Sequence, residues 1–244
     1  MNPRDYRRQV EAERRASAPA GGPAAVTSPG LRAGPDWARD LDQLMDTARD
    51  PRDREAALWR LQAGTFLVGQ FAQHRARYVQ ALQTAATDPD EALRHAAFDL
   101  LANIKDDFAR RKLVEGLQDP GKALVSPAVA LGLLARDDHG AATDFARSFL
   151  SSESDPATRA QAARVLAADP ASGALLADRM RDKDEFREVR RASAVALRSL
   201  DPDSFRAVAQ GILADATDFQ EIKATVRGAL ERDDPAPLAA PAGA

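Results

Sequence analysis

The chain has 244 residues, a net charge of −3, 44% hydrophobic residues, only 5% aromatics and no cysteine. The missing cysteine excludes a disulfide framework, thiolate zinc sites and thiol catalysis, and the acidic balance speaks against a body built to hold a polyanion. Apolar content drawn from Ala, Leu and Val favours close-packed helices over sheets, so an all-α fold is expected.

Residues 1–35 hold Arg4, Arg7, Arg8, Arg14, Arg15 and Arg32 and include the run ASAPAGGPAAVTSPGLRAGP. That composition predicts a flexible Arg/Pro/Ala/Gly-rich tail, with Gly21-Gly22 serving flexibility. The tail has no apolar run of signal-peptide length, and no later stretch approaches the roughly 18 apolar residues of a membrane span. A soluble, cytoplasmic protein is the expectation. The body should run from 36 to 232, before a disordered tail at 233–244 whose sequence is again Pro/Ala-rich.

Within the body the predicted elements form about six helix pairs. The first helix should start near Asp36 with Trp37, Leu41 and Leu44 on one face, and its partner should run from Pro51 through Leu58 and Leu61. Later first helices centre on Val79 and Leu82, Leu113 and Leu117, Phe145 and Phe149, Leu176 and Met180, and Val208 and Leu213. The second helices carry a column of anchors: Arg54, Arg94, Arg159, Arg190 and Lys223 each precede a leucine by seven residues, at Leu61, Leu101, Leu166, Leu197 and Leu230. Pro127 with Leu134 fills the missing third place. Leu44, Leu117, Met180 and Leu213 form a second column, each ten residues before its anchor. Self-similarity at this period is the mark of a helical repeat array, whose units bury their apolar faces only by stacking. Asp-Pro steps at Asp50, Asp88, Asp119 and Asp155 are predicted helix starts, with Asp capping and Pro opening.

The pairs resemble HEAT repeats over about Asp36 to Arg232, of the armadillo-like kind found in bacterial adaptor proteins and phycobilin lyase subunits. The resemblance implies a right-handed α-solenoid. It also implies a ladder in which a turn Asp meets an Arg early in the second helix, as Asp88 with Arg94 and Asp184 with Arg190, interrupted at Pro127.

No chemical motif accompanies the register. His74, His95 and His139 fall in different pairs without metal-ligand spacing, and no phosphate loop, nucleophile elbow or dinucleotide fingerprint occurs, so neither metal nor cofactor is expected. The acidic pairs Asp106-Asp107 and Asp137-Asp138 read as solvated turn residues. Trp37, Trp59, Phe66 and Phe71, with Leu67 and Val68 between, form either a cap over the end of the stack or a docking patch. Arg187, Arg191 and Arg198 share one helix face and, with His95, are the candidate partner contacts. These features point to a non-enzymatic scaffold or adaptor with a protein partner. The alternatives are nucleic-acid binding, as in HEAT-like alkylpurine DNA glycosylases, and an accessory subunit presenting a ligand or chromophore. The Arg stripe, the Arg-rich tail and Trp59 favour the former, and the acidic body opposes it.

Overall fold

The structure, a computed structural model, describes residues 35–233 apart from 138 and 153. The expected tails lie outside the described residues save for Pro35 and Asp233, as does Asp138 of the second acidic pair. Among the described residues there is no strand, and the chain is an α-solenoid of six helix pairs. These are α1 (Trp37–Met45) with α2 (Pro51–Gly64), α4 (Arg75–Ala85) with α5 (Glu91–Asn103), and α6 (Asp107–Gln118) with α7 (Pro127–Asp137). Then come α8 (His139–Ser151) with α9 (Pro156–Val165), α10 (Gly173–Arg181) with α11 (Arg187–Leu200), and α12 (Pro202–Ala214) with α13 (Gln220–Asp233). A one-turn helix, α3 (Val68–Phe71), sits in the crossover between the first two pairs. Second helices stack on second helices down the array: α2 on α5, α5 on α7, α7 on α9, α9 on α11 and α11 on α13.

The helix starts follow from local chemistry. Asp50, Asp155 and Asp201 accept a backbone N–H from the first turn of α2, α9 and α12, and proline stands at the first helical position of each, where its missing N–H costs nothing. Two expected starts are corrected. Asp88 is drawn inward as an ion-pair partner, and Asp90 caps α5 through Leu93 N at 2.9 Å. Asp119-Pro120 opens a short 3-10 turn, Pro120–Lys122, and α7 begins later at Pro127. The anchor leucines Leu61, Leu101, Leu134, Leu166 and Leu197 are fully buried, as are Ala57, Ala97, Ala162 and Ser193 three residues after their anchors.

The ladder exists, but its partners are not those the resemblance implies. Three of the four anchor arginines reach forward to an acid in the turn of the following pair. Arg54 pairs with Asp88 at 2.7 Å, Arg159 with Glu185, and Arg190 with Asp218 through two parallel bonds of 2.8 and 2.7 Å. Asp88 therefore serves Arg54, and Arg94 takes only the Asp88 backbone carbonyl, at 2.7 Å. Asp184 is exposed and holds no ladder bond, because the chain turns Glu185 inward instead. Arg54 and Arg190 also donate Nε–H to the carbonyls of Leu44 and Met180, both at 3.0 Å. This accounts for two members of the column ten residues before the anchors, Leu44 and Met180, whose carbonyls close their pairs onto the guanidinium. At Pro127 no cation is present, and Arg94 reaches the Leu124 carbonyl in place of an acid.

Arg190 is 0% exposed and Asp218 is buried beside it. Removing one partner of a buried pair leaves an uncompensated charge and costs about 3–5 kcal/mol, whereas apolar replacement of both is far milder. Asp218→Ala should therefore lower the unfolding free energy in urea by about that amount, and the double change Arg190→Met with Asp218→Leu should recover most of it.

The hydrogen bond from Arg190 holds the Asp218 carboxyl below the usual carboxylate range. A depressed folded value means the folded state binds fewer protons, so this contribution is complete above about pH 4, the unfolded value, and is lost as pH falls through the folded one. Acid denaturation followed by circular dichroism should show a shallower loss in Asp218→Ala than in the parent chain.

Candidate functional site

Among the described residues no helix pair precedes α1 and α2, and aromatic rings pack against this end of the stack. Trp37 packs edge-on to Phe71 at 5.2 Å between centroids, and Phe71 packs edge-on to Tyr78 at 5.6 Å. The approach depends on Gly64 at the end of α2. A Cβ there would lie 2.5 Å from Trp37 Nε1, closer than real contacts allow, and 3.0 Å from Phe71 Cδ2. Trp37 and Phe71 are thus buried at this end of the stack. Phe66 and Val68, on the same crossover, remain 79% and 69% exposed.

Beneath these exposed residues lies a cavity of about 360 Å³ between the crossover, α4 and the C-terminal end of α5. Its wall is mainly apolar, with Phe66, Val68, Phe71, Val79, Leu82 and Ile104 prominent. Ile104 is carried to the rim by the chain reversal after α5, where Lys105 adopts the left-handed conformation at φ 55° and Asp106 N–H bonds back to Leu101 O. Polar groups are few: Gln62, Thr65, Arg75, Tyr78 and Asn103. Thr65 donates its hydroxyl to Gln62 O, and Tyr78 donates its hydroxyl to Gln62 Oε1 at 2.9 Å. Burial pushes the Tyr78 phenol up from its ordinary value, so it stays a neutral donor. No carboxylate lines the cavity. The size lies within the range of small-molecule sites.

A second concavity runs along the second helices α2, α5, α7 and α9. It is a larger and shallower trough of about 610 Å³, lined by Trp59, His95, Asp99, Gly132, Arg136 and Gln161 among others. Trp59 and His95, singled out separately in the sequence, meet here. Trp59 donates its indole N–H to Glu55 at 3.2 Å, and Arg136 bridges to Asp99 at 2.7 Å. Within the trough Arg136 and Asp99 pair with each other, while Trp59, His95 and Gln161 meet Glu55, Glu91 and Arg164 outside it.

Arg187, Arg191 and Arg198 lie on α11 outside both concavities. Glu221 of α13 pairs with Arg187 at 3.5 Å and with Arg191 at 2.8 Å, and Arg187 also lies 4.4 Å over the Phe219 ring. Arg198 is engaged as well. Arg187 and Arg191 thus share one carboxylate. Cavity residues Gln62, Arg75 and Tyr78 were not singled out by sequence pattern, since none belongs to the anchor columns. Among the described residues no group of three His, Asp or Glu side chains is placed to hold a metal, and no helix is long and apolar enough to cross a membrane.

No protein-family model matches the chain, and no curated protein matches it. Among solved structures it is similar to human deoxyhypusine hydroxylase in complex with glycerol, at 15% identity and a TM-score of 0.33, over 80% of this chain and 94% of that one. That protein is an enzyme. The expectation of a non-enzymatic scaffold or adaptor is corrected on this finding: a helical-repeat body without a recognisable motif does not exclude catalysis. At that identity and score the likeness says nothing of a reaction or substrate here.

Gly64→Ala should destabilise the chain by about 1–3 kcal/mol, the scale of overpacking. Near-ultraviolet circular dichroism should show weakened signals from the Trp37–Phe71–Tyr78 cluster while the helical far-ultraviolet signal persists.

Proposed function

We propose that this chain, read as a HEAT-like repeat protein, binds a small amphipathic molecule in the cavity between the crossover, α4 and α5. The carrying observation is a recess of about 360 Å³ with an apolar wall and a few converging polar groups, set beside exposed Phe66 and Val68. Apolar recesses of this size with sparse polar groups are where globular proteins take up ligands. The arrangement is also held in place from behind. The aromatic cluster and the missing side chain at Gly64 fix the crossover, and Leu82 is fully buried in the wall. A surface patch of this apolar character, when contiguous, marks an interaction site.

The test uses the neutral fluorophore N-phenylnaphthylamine with the full chain. Saturable binding at one site per chain is expected, with a blue-shifted emission. Ala72→Trp introduces an indole at the cavity edge from an exposed position and should abolish the signal with melting temperature and helical content unchanged. Undiminished binding by that variant would remove the cavity from consideration.

A further inference from the structure

We infer that the ligand of this cavity is a single-chain amphiphile with a carboxylate head, seated with its alkyl chain in the recess and its head at Arg75; this rests on the reading of the cavity as a ligand site. The inference comes from which polar groups have capacity to spare. Gln62 uses its side-chain oxygen to accept from Tyr78, so its amide N–H groups are what it has left to offer. Asn103 is occupied on both sides, receiving Arg136 at 3.1 Å and reaching Asp99 at 3.5 Å. Thr65 has spent its proton on a backbone carbonyl. Arg75 is exposed at the start of α4 and meets no carboxylate in the cavity wall.

The contrast with the neighbouring cations is direct. On the outer side of the same end, Arg60 pairs with Asp40 at 2.8 Å, and Arg77, two residues beyond Arg75, pairs with Asp42. Among the described residues Arg75 is given no such acid. Around the recess the Gln62 amide N–H groups and the Arg75 guanidinium are donors, the Thr65 and Tyr78 hydroxyls keep neutral acceptor capacity only, and the lining carries a positive charge and no negative one. A guanidinium recognises a carboxylate through parallel N–H donors, and the apolar wall selects a hydrocarbon behind it. A zwitterion or a cation would find no acceptor of opposite charge there. A neutral alcohol would fill the wall and leave Arg75 unanswered.

Displacement of N-phenylnaphthylamine from the full chain by decanoate and by decanol, at matched ionic strength, tests this. Decanoate should displace the probe at lower concentration than decanol, by up to roughly fivefold, the scale of an exposed ion pair. Arg75→Gln should bring the two to equality while leaving decanol unchanged. Across octanoate, nonanoate and decanoate, affinity should rise about fourfold per methylene until the recess is full. Equal displacement by both ligands in the parent chain, with both lost in Ala72→Trp, would keep the cavity and overturn the carboxylate. Failure of the probe itself to bind would overturn the cavity reading with it. A dimer in sedimentation that Phe66→Asp dissociates would give the patch to a second copy of the chain and overturn the proposal.

Discussion

The structure depends on a guanidinium that does two things at once. Arg54 and Arg190 each tie the end of their own first helix to their second helix through Nε, and tie that pair to the next through the remaining nitrogens. Burying such a charge gives little net stability relative to an apolar contact. What it supplies is geometry, because a planar fork fixed through Nε to a helix end and through its outer nitrogens to a turn acid accepts one arrangement of three segments. The leucine seven residues later stands on the same face of the same helix, so the rotation that satisfies the arginine also buries the leucine. Electrostatic register and hydrophobic packing then specify one answer, which is the condition for a sequence to select a single fold.

Where the array begins, that device has nothing to grip. Among the described residues no arginine reaches the first pair from before it, and edge-on aromatic contacts surround Gly64 there. Rings pack less regularly than a ladder, and the crossover must also span from one pair to the next. The recess under Phe66 is a product of that irregularity. Function in this reading is located where the repeat logic stops, at a position that has lost a neighbour and acquired a different lining.

The helices were legible because the information for them is local or periodic. Six pairs, the anchor columns and several Asp caps follow from spacing alone. The ladder partners were not legible in the same way. The turn before Arg190 offers Asp182, Asp184 and Glu185, and the turn before Lys223 offers Asp215 and Asp218, so choosing among them needs the path of the turn. A finer signal was present: Glu185 and Asp218 each stand five residues before an anchor. The crossover was harder still. Trp37 and Phe71 face inward while Phe66 and Val68 face out, and no period runs through Ala63–His74 to separate them. The cavity joins residues from three elements far apart in sequence, which no spacing rule detects. Nor does a missing motif decide whether a chain has an activity.

Pro127 leaves one position of the ladder without a cation, between the third and fourth pairs. In a stack whose members touch only their neighbours, stiffness is a property of each junction separately. The junctions made by Arg54, Arg159 and Arg190 resist shear through charged bonds whose loss would strand a charge in a dry interior. The junction at Pro127 has the packing of α7 against its neighbours α8 and α9 and no ladder guanidinium. The interruption at Pro127 divides the array into three pairs on either side, and the recess lies within the amino-terminal three.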